Sequence, residues 1–322
     1  MLSLKTCVER WPIAKAFTIS RGSKTEAVVV VVVLSDGEFT GRGECVPYAR
    51  YGETVESVIE EIQKAKAVDD RMSLQSLMRP GAARNAFDCA FWDLEAKRAG
   101  RLAYELAGLP PLKPLTVSYT LSLDAPEAMA AEARKVSSRP LLKIKLGAEG
   151  DRERLKAIRD AAPNVRLVVD ANEGWTETNF AEKMDACCAY GVSLIEQPLP
   201  AGKDDYLAKV PHAIPLCADE SVFERSSLGG LKGKYDAINV KLDKTGGLTE
   251  ALATAAMAKD MGFSLMVGCM VSTSLSMAPA FLVAQGADVI DLDGPLLLAE
   301  DRSDGLRYED GLVYPPTSSL WG

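Results

Sequence analysis

The chain has 322 residues, with 37 lysines and arginines against 45 aspartates and glutamates, a formal net charge of −8. An acidic chain of this kind is a poor match for nucleic acid as its main partner. Apolar residues make up 47% of the sequence, and the longest apolar run, residues 27–34, is too short to span a bilayer. We therefore expect a globular protein without a nucleic-acid or membrane partner, large enough for a barrel plus an accessory domain.

The seven cysteines show neither a CxxC motif nor the spacing of a zinc site. An odd number of cysteines is typical of free thiols in a reducing compartment. The first twenty residues carry charges and a proline but no apolar leader segment, so no cleaved signal peptide is expected. These features predict a cytoplasmic protein, and they leave a homo-oligomer open.

Residues 1–112 predict a separate α+β domain. A valine-rich strand at 25–35, a turn at Asp36-Gly37 and a second strand at 38–44 form a β-hairpin pattern. Amphipathic helices are predicted at 53–68 and 82–99. A proline-rich linker, residues 109–114, leads into the rest of the chain.

Residues 113–299 alternate between strand and helix. The predicted strands are 115–122, 141–147, 165–172, 192–198, 215–221, 237–243, 263–270 and 288–293. Charged residues near the ends of the second to sixth strands follow one another at intervals of 22 to 26 residues, the length of one strand, one helix and two short loops. This pattern predicts a parallel sheet closed into an α/β barrel. The alternation stops after residue 299, and we expect residues 300–322 to return to the N-terminal domain.

Charged side chains stand at or near the carboxyl ends of the predicted strands. Lys143 and Lys145 share one face of the second strand, because side chains in a strand alternate with period two. The others are Asp170, Glu196, Asp219, Lys241, Asp291 and Asp293. Strand ends of this kind form the functional mouth of such barrels. Three lysines and five acids leave a charge of −2, which one divalent cation would neutralise.

This constellation favours proton transfer at a carbon next to a carboxylate. Asp170, Glu196 and Asp219 come from adjacent strands and offer the hard oxygen ligands that Mg²⁺ prefers. Lys145 and Lys241 lie on strands two and six of eight, so they face each other across the mouth. One lysine can remove an α-proton and the other return one to the opposite face, with the metal stabilising the enediolate. A structural ion-pair network, or a non-catalytic metal-binding barrel, is the alternative.

The order of these residues resembles the enolase superfamily, and its muconate-lactonizing branch in particular. The shared features are Lys-x-Lys on the second strand, acids on the next three and a lysine on the sixth. The resemblance covers nearly the whole chain and implies a modified (β/α)7β TIM barrel with an α+β capping domain completed by the C-terminal segment. It also implies Mg²⁺ bound by Asp170, Glu196 and Asp219, with Lys145 and Lys241 as acid and base. The only histidine, His212, precedes the fifth strand, which excludes branches that use a histidine base.

Within that branch, the segment from Asp291 to Pro295 together with the loop at Arg21 resembles the dipeptide epimerases. The resemblance implies a dipeptide substrate, with alanyl-glutamate expected, and a link to peptidoglycan peptide recycling. Asp291 and Asp293 are then expected to bind the substrate ammonium group and Arg21 a side-chain carboxylate. Lys143 is expected to support the site without transferring protons.

Three other activities of the same branch stay open. They are epimerisation of other dipeptides, muconate cycloisomerisation and o-succinylbenzoate synthesis. The pair Asp291 and Asp293 argues against substrates that lack an ammonium group. Two cap segments, residues 17–24 and 43–52, are candidates to reach the barrel mouth and close over a bound substrate.

Overall fold

An antiparallel sheet and four helices form the N-terminal part of the chain in this computed structural model, which describes residues 2–322. The elements are β1 (Ser3–Ile19), β2 (Gly22–Ser35), β3 (Thr40–Cys45), a 3₁₀ turn (Ala49–Tyr51), α1 (Val55–Lys64), α2 (Arg71–Leu77), α3 (Ala82–Ala99) and α4 (Ala103–Leu106). The sheet order is β1-β2-β3, and Ser35 pairs with Thr40 across the predicted hairpin turn. The predicted helix at 82–99 is α3, which buries most of its surface.

Eight parallel strands follow and form a nearly closed barrel. After the short strand β4 (Leu115–Thr116) they are β5 (Tyr119–Leu121), β6 (Leu141–Lys145), β7 (Arg166–Asp170), β8 (Val192–Glu196), β9 (Leu216–Ala218), β10 (Ala237–Val240), β11 (Ser264–Gly268) and β12 (Val289–Asp291). Each strand from β5 to β12 pairs with its neighbour in chain order. The Ser118 backbone N–H donates to the Ile290 carbonyl at 2.9 Å across the seam between the last and first strands. The predicted barrel with a separate N-terminal domain is confirmed.

The connections between the barrel strands are less regular than the sequence pattern predicts. Their helices are α5 (Pro126–Lys135), α6 (Asp151–Ala161), α7 (Phe180–Ala189), α8 (Leu242–Thr245), α9 (Leu248–Asp260) and α10 (Ser274–Ala284), and α11 (Gly294–Leu297) follows the last barrel strand. The connections after β8 and β9 contain only the 3₁₀ segments Asp205–Lys209 and Arg225–Leu231. None of the helices in residues 2–322 combines the length and the apolarity needed to cross a membrane.

The predicted strand at 115–122 is two strands in different sheets. Its first part, β4, pairs with β14 (Leu312–Val313), which in turn pairs with β13 (Tyr308–Glu309). Only the second part, β5, enters the barrel. The chain leaves one sheet for the other because residues 312–313 pair with β4. The division of the chain at 112/113 and 299/300 stays a prediction.

The last residues of the chain pack against α3. The Trp321 indole N–H donates to the Cys89 carbonyl at 3.0 Å, and the Gly322 backbone N–H donates to the Asp93 carboxylate at 2.8 Å. The C-terminal segment therefore contacts the N-terminal part of the chain directly.

Two layers of side chains fill the barrel where the site is built. The first is apolar and takes one residue from each of seven strands: Leu141, Val168, Leu194, Cys217, Ala237, Met266 and Val289. Side chains two residues apart share a face of a strand. The next inward positions are therefore Lys143, Asp170, Glu196, Asp219, Asn239, Gly268 and Asp291. An apolar floor thus carries a layer that is almost entirely polar.

Candidate active site

Lys143 lies at the centre of the polar layer and is only 1% exposed. Its ammonium nitrogen is 2.6 Å from Glu196 Oε2, 2.6 Å from Asp291 Oδ2 and 3.3 Å from Asp170 Oδ2. Burial disfavours the charge, but Asp291 and Glu196 outweigh it and raise the pKa of Lys143 well above its usual value. A lysine held in its charged form by three acids suits electrostatic support better than proton transfer.

Lys145 and Lys241 reach one layer higher, toward the mouth. Lys145 Nζ is 2.5 Å from Asp170 Oδ2, and Lys241 Nζ is 2.6 Å from Asp219 Oδ2. Their side chains retain a small exposure, 7% and 6% of each residue. The two lysines stand on opposite walls of the mouth, because β6 and the end of β10 are four strands apart in an eight-stranded order.

The acids of the polar layer have widely different proton affinities. Burial opposes the ionisation of Asp170, yet Lys145 and Lys143 hold its pKa below the usual range. Lys241 and Lys244 overcome burial in the same way and hold the pKa of Asp219 well below its usual value. Burial and the neighbouring Asp170 charge raise the pKa of Glu196 to about 8. Additional positive charge would therefore stabilise this group of acids most if it lay near Glu196.

The donor set Asp170, Glu196 and Asp219 fits a hard divalent cation. Lys143 lies between Asp170 and Glu196, and Lys241 Nζ lies 3.9 Å from Glu196 Oε1 as well as close to Asp219. Each neighbouring pair of acids thus already shares one positive charge. Glu196 Oε2 is buried and forms an ion pair with Lys143 but accepts no well-directed hydrogen bond. Within residues 2–322 no three acidic, histidine or cysteine side chains form a complete ligand cluster, because lysine ammonium groups lie between the acids.

Sequence reasoning missed Lys244 and Asn239. Lys244 Nζ is 2.5 Å from Asp219 Oδ1, 2.5 Å from the Asp219 carbonyl and 3.0 Å from the Asn239 carbonyl. The Asn239 amide donates to Glu196 Oε1 at 2.7 Å. A fourth lysine against five acids leaves a charge of −1, not −2. The available signal was the spacing of three residues between Lys241 and Lys244, which places both on one side of a helical turn.

Asp291 and Asp293 connect the last barrel strand to the first through hydrogen bonds. Asp291 Oδ1 accepts from the Ser118 hydroxyl at 2.7 Å while its other oxygen binds Lys143. Asp293 Oδ2 accepts from the Thr120 backbone N–H at 2.6 Å, and Asp293 forms no ion pair with a lysine or arginine of residues 2–322. Burial and the Asp291 charge raise the pKa of Asp293 to about 6. Of the two acids, Asp291 is therefore paired with a lysine, and Asp293 is the one without a cationic partner among the described residues.

Arg21 of the cap reaches the mouth, but acids of the chain itself bind it. Its guanidinium donates to the Asn172 carbonyl at 2.7 Å, to Glu173 at 3.0 Å and to Glu220 at 2.7 Å. Arg50 binds the same Glu173 through two hydrogen bonds of 2.9 and 2.7 Å. Both predicted cap segments thus contact the barrel mouth. The predicted contact of Arg21 with a substrate carboxylate stays a prediction.

Family models match both parts of the chain. Residues 128–319 match the enolase C-terminal domain-like family. Residues 1–108 match the N-terminal domain of the mandelate racemase and muconate lactonizing enzymes. The chain belongs to the enolase superfamily.

Two relatives within the enolase superfamily are named for activities on glutamate derivatives. The chain is 45% identical over 300 residues to the N-acetyl-D-glutamate racemase of a Pseudoalteromonas species, covering 91% of this chain and 95% of that protein. It is 43% identical over 321 residues to the L-Ala-D/L-Glu epimerase of Escherichia coli, covering 98% and 100%. Epimerases and racemases are isomerases, and the chain is an isomerase of this type.

Solved structures agree with this placement. An enolase family member from Agrobacterium tumefaciens with homology to dipeptide epimerases, bound to sodium and L-Ala-L-Glu, is 54% identical over the full length of both chains with a TM-score of 0.98. A dipeptide epimerase from Methylococcus capsulatus in complex with Mg and L-Arg-D-Lys is 29% identical over 97% of this chain and 96% of that chain, with a TM-score of 0.89.

Proposed function

We propose that the chain epimerises dipeptides, with L-alanyl-glutamate as the substrate: one of Lys145 and Lys241 removes the α-proton of the glutamyl residue, and the other donates a proton to the opposite face of the same carbon. The observation that carries this proposal is the placement of the two lysines on opposed strands, each next to a buried acid. Two bases on opposite faces of one carbon are the arrangement that inverts it. The activity of the Escherichia coli relative supports the choice of substrate.

The proton path follows from these contacts. One lysine accepts the α-proton in its neutral form, and the opposite lysine donates a proton to the other face. The Lys241 ammonium is ready to donate, because Asp219 and Glu196 outweigh burial and raise its pKa. The apolar floor below Lys143 excludes water from the layer beneath the reacting carbon, which strengthens the electrostatic interactions above it.

Asp170, Glu196 and Asp219 would hold Mg²⁺ in this proposal. Bound Mg²⁺ would supply positive charge that stabilises the negative charge gained by the substrate carboxylate when the α-proton leaves. Lys143 stands beside two of these acids and adds a fixed positive charge to the same region. Asn239 orients Glu196 through the hydrogen bond to its Oε1.

The two ends of the substrate find partners of the right charge. The Asp293 carboxylate, which forms no ion pair within residues 2–322, suits the ammonium group of a dipeptide, whereas Asp291 is occupied by Lys143 and Ser118. Arg21 suits the glutamyl side-chain carboxylate, which would compete with Glu173 and Glu220 for the guanidinium.

Racemisation of N-acetylglutamate is the second candidate, because the Pseudoalteromonas relative with that activity is 45% identical. The acid at Asp293 favours the dipeptide, since N-acetylglutamate has no ammonium group.

Deuterium exchange tests the proposal. The wild-type protein with Mg²⁺ in D₂O should exchange the α-proton of L-Ala-L-Glu and of L-Ala-D-Glu and interconvert them, as read by mass spectrometry. Lys145→Ala and Lys241→Ala should each abolish epimerisation yet keep exchange of one epimer, and the two variants should keep opposite epimers. A single variant that still exchanges both epimers would contradict the two-base mechanism.

A further inference from the structure

Helix α3 of the cap contacts the loop that carries Lys241. Four side chains on this helix, Arg84, Asn85, Asp88 and Trp92, hydrogen-bond to residues 243–249. Residues 84, 88 and 92 are spaced by four and so lie along one face of the helix. The loop thus has the barrel on one side and a row of cap side chains on the other.

Arg84 holds the carboxyl end of the turn that starts at Lys241. It is 4% exposed, and its guanidinium donates to the Thr245 carbonyl at 2.7 Å and to the Gly246 carbonyl at 3.1 Å. An added Cβ at Gly246 would lie 2.4 Å from Arg84 Nε. The guanidinium and the backbone of the turn are therefore in close contact, which leaves the turn little freedom on the cap side.

Two further contacts flank the one made by Arg84. The Asn85 amide donates to Asp243 Oδ1 at 2.8 Å, and that oxygen also accepts from the Val46 backbone N–H at 3.1 Å. The Asp88 carboxylate accepts from both the backbone N–H and the hydroxyl of Thr249, at 2.9 and 2.6 Å. The cap therefore contacts the loop before, at and after Gly246.

Backbone hydrogen bonds of the turn connect the contacts made by α3 to Lys241. Lys241 stands at the N-cap position of α8, and its carbonyl accepts from the backbone N–H groups of Lys244 and Thr245, both at 3.0 Å. Thr245 closes this turn through its N–H, and its carbonyl accepts the hydrogen bond from Arg84. A short helix of four residues has little stability of its own, so contacts from outside determine its position.

We propose that α3 is a positioning element for the Lys241 side of the reaction, with Arg84 as its main contact and Asn85 as a second. The inference rests on the proposed two-base function and adds a role for the cap beyond closing over the substrate. Lys145 lies on the opposite wall and has no hydrogen bond or ion pair with α3 in residues 2–322. Loss of the α3 contacts should therefore impair one proton path and spare the other.

One-sided deuterium exchange provides the test. Wild type, Lys241→Ala, Arg84→Met and Asn85→Ala are each incubated with Mg²⁺ and either L-Ala-L-Glu or L-Ala-D-Glu in D₂O. Lys241→Ala identifies the epimer that depends on Lys241. Arg84→Met should slow exchange of that epimer by about 10- to 100-fold, as a displacement near 1 Å does, and change the other by less than about twofold. Asn85→Ala should shift the two rates in the same unequal way and serves if Arg84→Met does not fold.

Arg159→Met is the matched control. Arg159 also donates to backbone carbonyls, at 2.9 Å to Tyr190 and 2.8 Å to Val165, but these precede β8 and β7 at the opposite end of the barrel. The Arg159→Met substitution should leave the ratio of the two exchange rates unchanged. Equal slowing of both epimers in Arg84→Met and Asn85→Ala, or no slowing, would overturn the inference while wild-type exchange still supports the proposed function. Absence of exchange in the wild type would overturn both.

Discussion

Lys241 and Lys244 bind different oxygens of the same carboxylate. Lys241 Nζ lies 2.6 Å from Asp219 Oδ2, and Lys244 Nζ lies 2.5 Å from Asp219 Oδ1. Lys244 is completely enclosed and also binds two backbone carbonyls, so its position is fixed. Asp219 thus binds Lys241, which reaches the mouth, and Lys244, whose side chain is fully buried.

Substitution of Lys244 should destabilise the protein strongly. Lys244→Met removes the lysine partner of Asp219 Oδ1 and a donor to the Asp219 and Asn239 carbonyls, and breaking a buried ion pair costs about 3–5 kcal/mol. Urea unfolding followed by circular dichroism measures this loss in the free energy of unfolding. Lys156→Met is the control, because Lys156 pairs with Asp160 on an exposed helix surface, where such pairs contribute little. Similar losses in the two variants would contradict this account.

The sequence predicted the polar layer well because its physical cause is local. An inward position in a parallel strand repeats every two residues, so Lys143, Asp170, Glu196 and Asp219 could be placed from their strands alone. Lys244 and Asn239 escaped because their roles depend on contacts made after the strand ends or between strands. The same reason explains the splitting of the strand at 115–122, since the partner of β4 comes from residues 312–313.

Magnesium should stabilise the folded protein. Asp170, Glu196 and Asp219 repel one another in part, and a cation that binds only the folded state adds about 2–3 kcal/mol at about a hundredfold excess over its Kd. The melting temperature should rise with Mg²⁺ and fall back with EDTA, and EDTA should abolish epimerisation. Asp219→Asn should weaken the thermal shift. Full activity in excess EDTA would rule out this role for the metal.

Asp293 should select substrates that carry an ammonium group. Asp293→Asn keeps an acceptor for the Thr120 N–H but removes the charge, and should cost about 1–3 kcal/mol in kcat/KM for L-Ala-L-Glu. N-acetyl-L-Ala-L-Glu and N-acetylglutamate should both be poor substrates of the wild type. If N-acetylglutamate is instead turned over as well as the dipeptide, the second candidate function replaces the first.

Gly268 should be required for the position of Lys241. It occupies an inward position of β11, where an added Cβ would lie 2.7 Å from Asn239 Oδ1 and 3.1 Å from Lys241 Cε. Gly268→Ala should therefore displace both side chains and lower kcat by about 10- to 100-fold while the protein still folds. Gly229→Ala is the control, since an added Cβ there meets no atom within 4 Å. Steady-state kinetics with circular dichroism distinguish the two.

Asp88 should make stability fall as the pH rises through the weakly acidic range. Burial raises the pKa of Asp88 from 3.8 to about 6, against the hydrogen bonds from Thr249 and the charges of Arg71 and Arg84, which lower it. Between about pH 4 and 6 the folded protein keeps a proton that the unfolded chain releases, so unfolding is favoured as the pH increases. A shift of this size corresponds to about 3 kcal/mol.

The comparison of wild type with Asp88→Asn isolates this effect. The free energy of unfolding of the wild type, relative to the variant, should fall between pH 4 and pH 7, as measured by urea unfolding at each pH. Asp36→Asn gives the opposite sign as a control. Hydrogen bonds from the Phe39 backbone and from Arg98 lower the pKa of Asp36 to about 2, so wild-type stability relative to that variant should rise between about pH 2 and 4. A wild-type to Asp88→Asn difference that stays constant from pH 4 to 7 would show that Asp88 is ionised throughout this range in the folded protein.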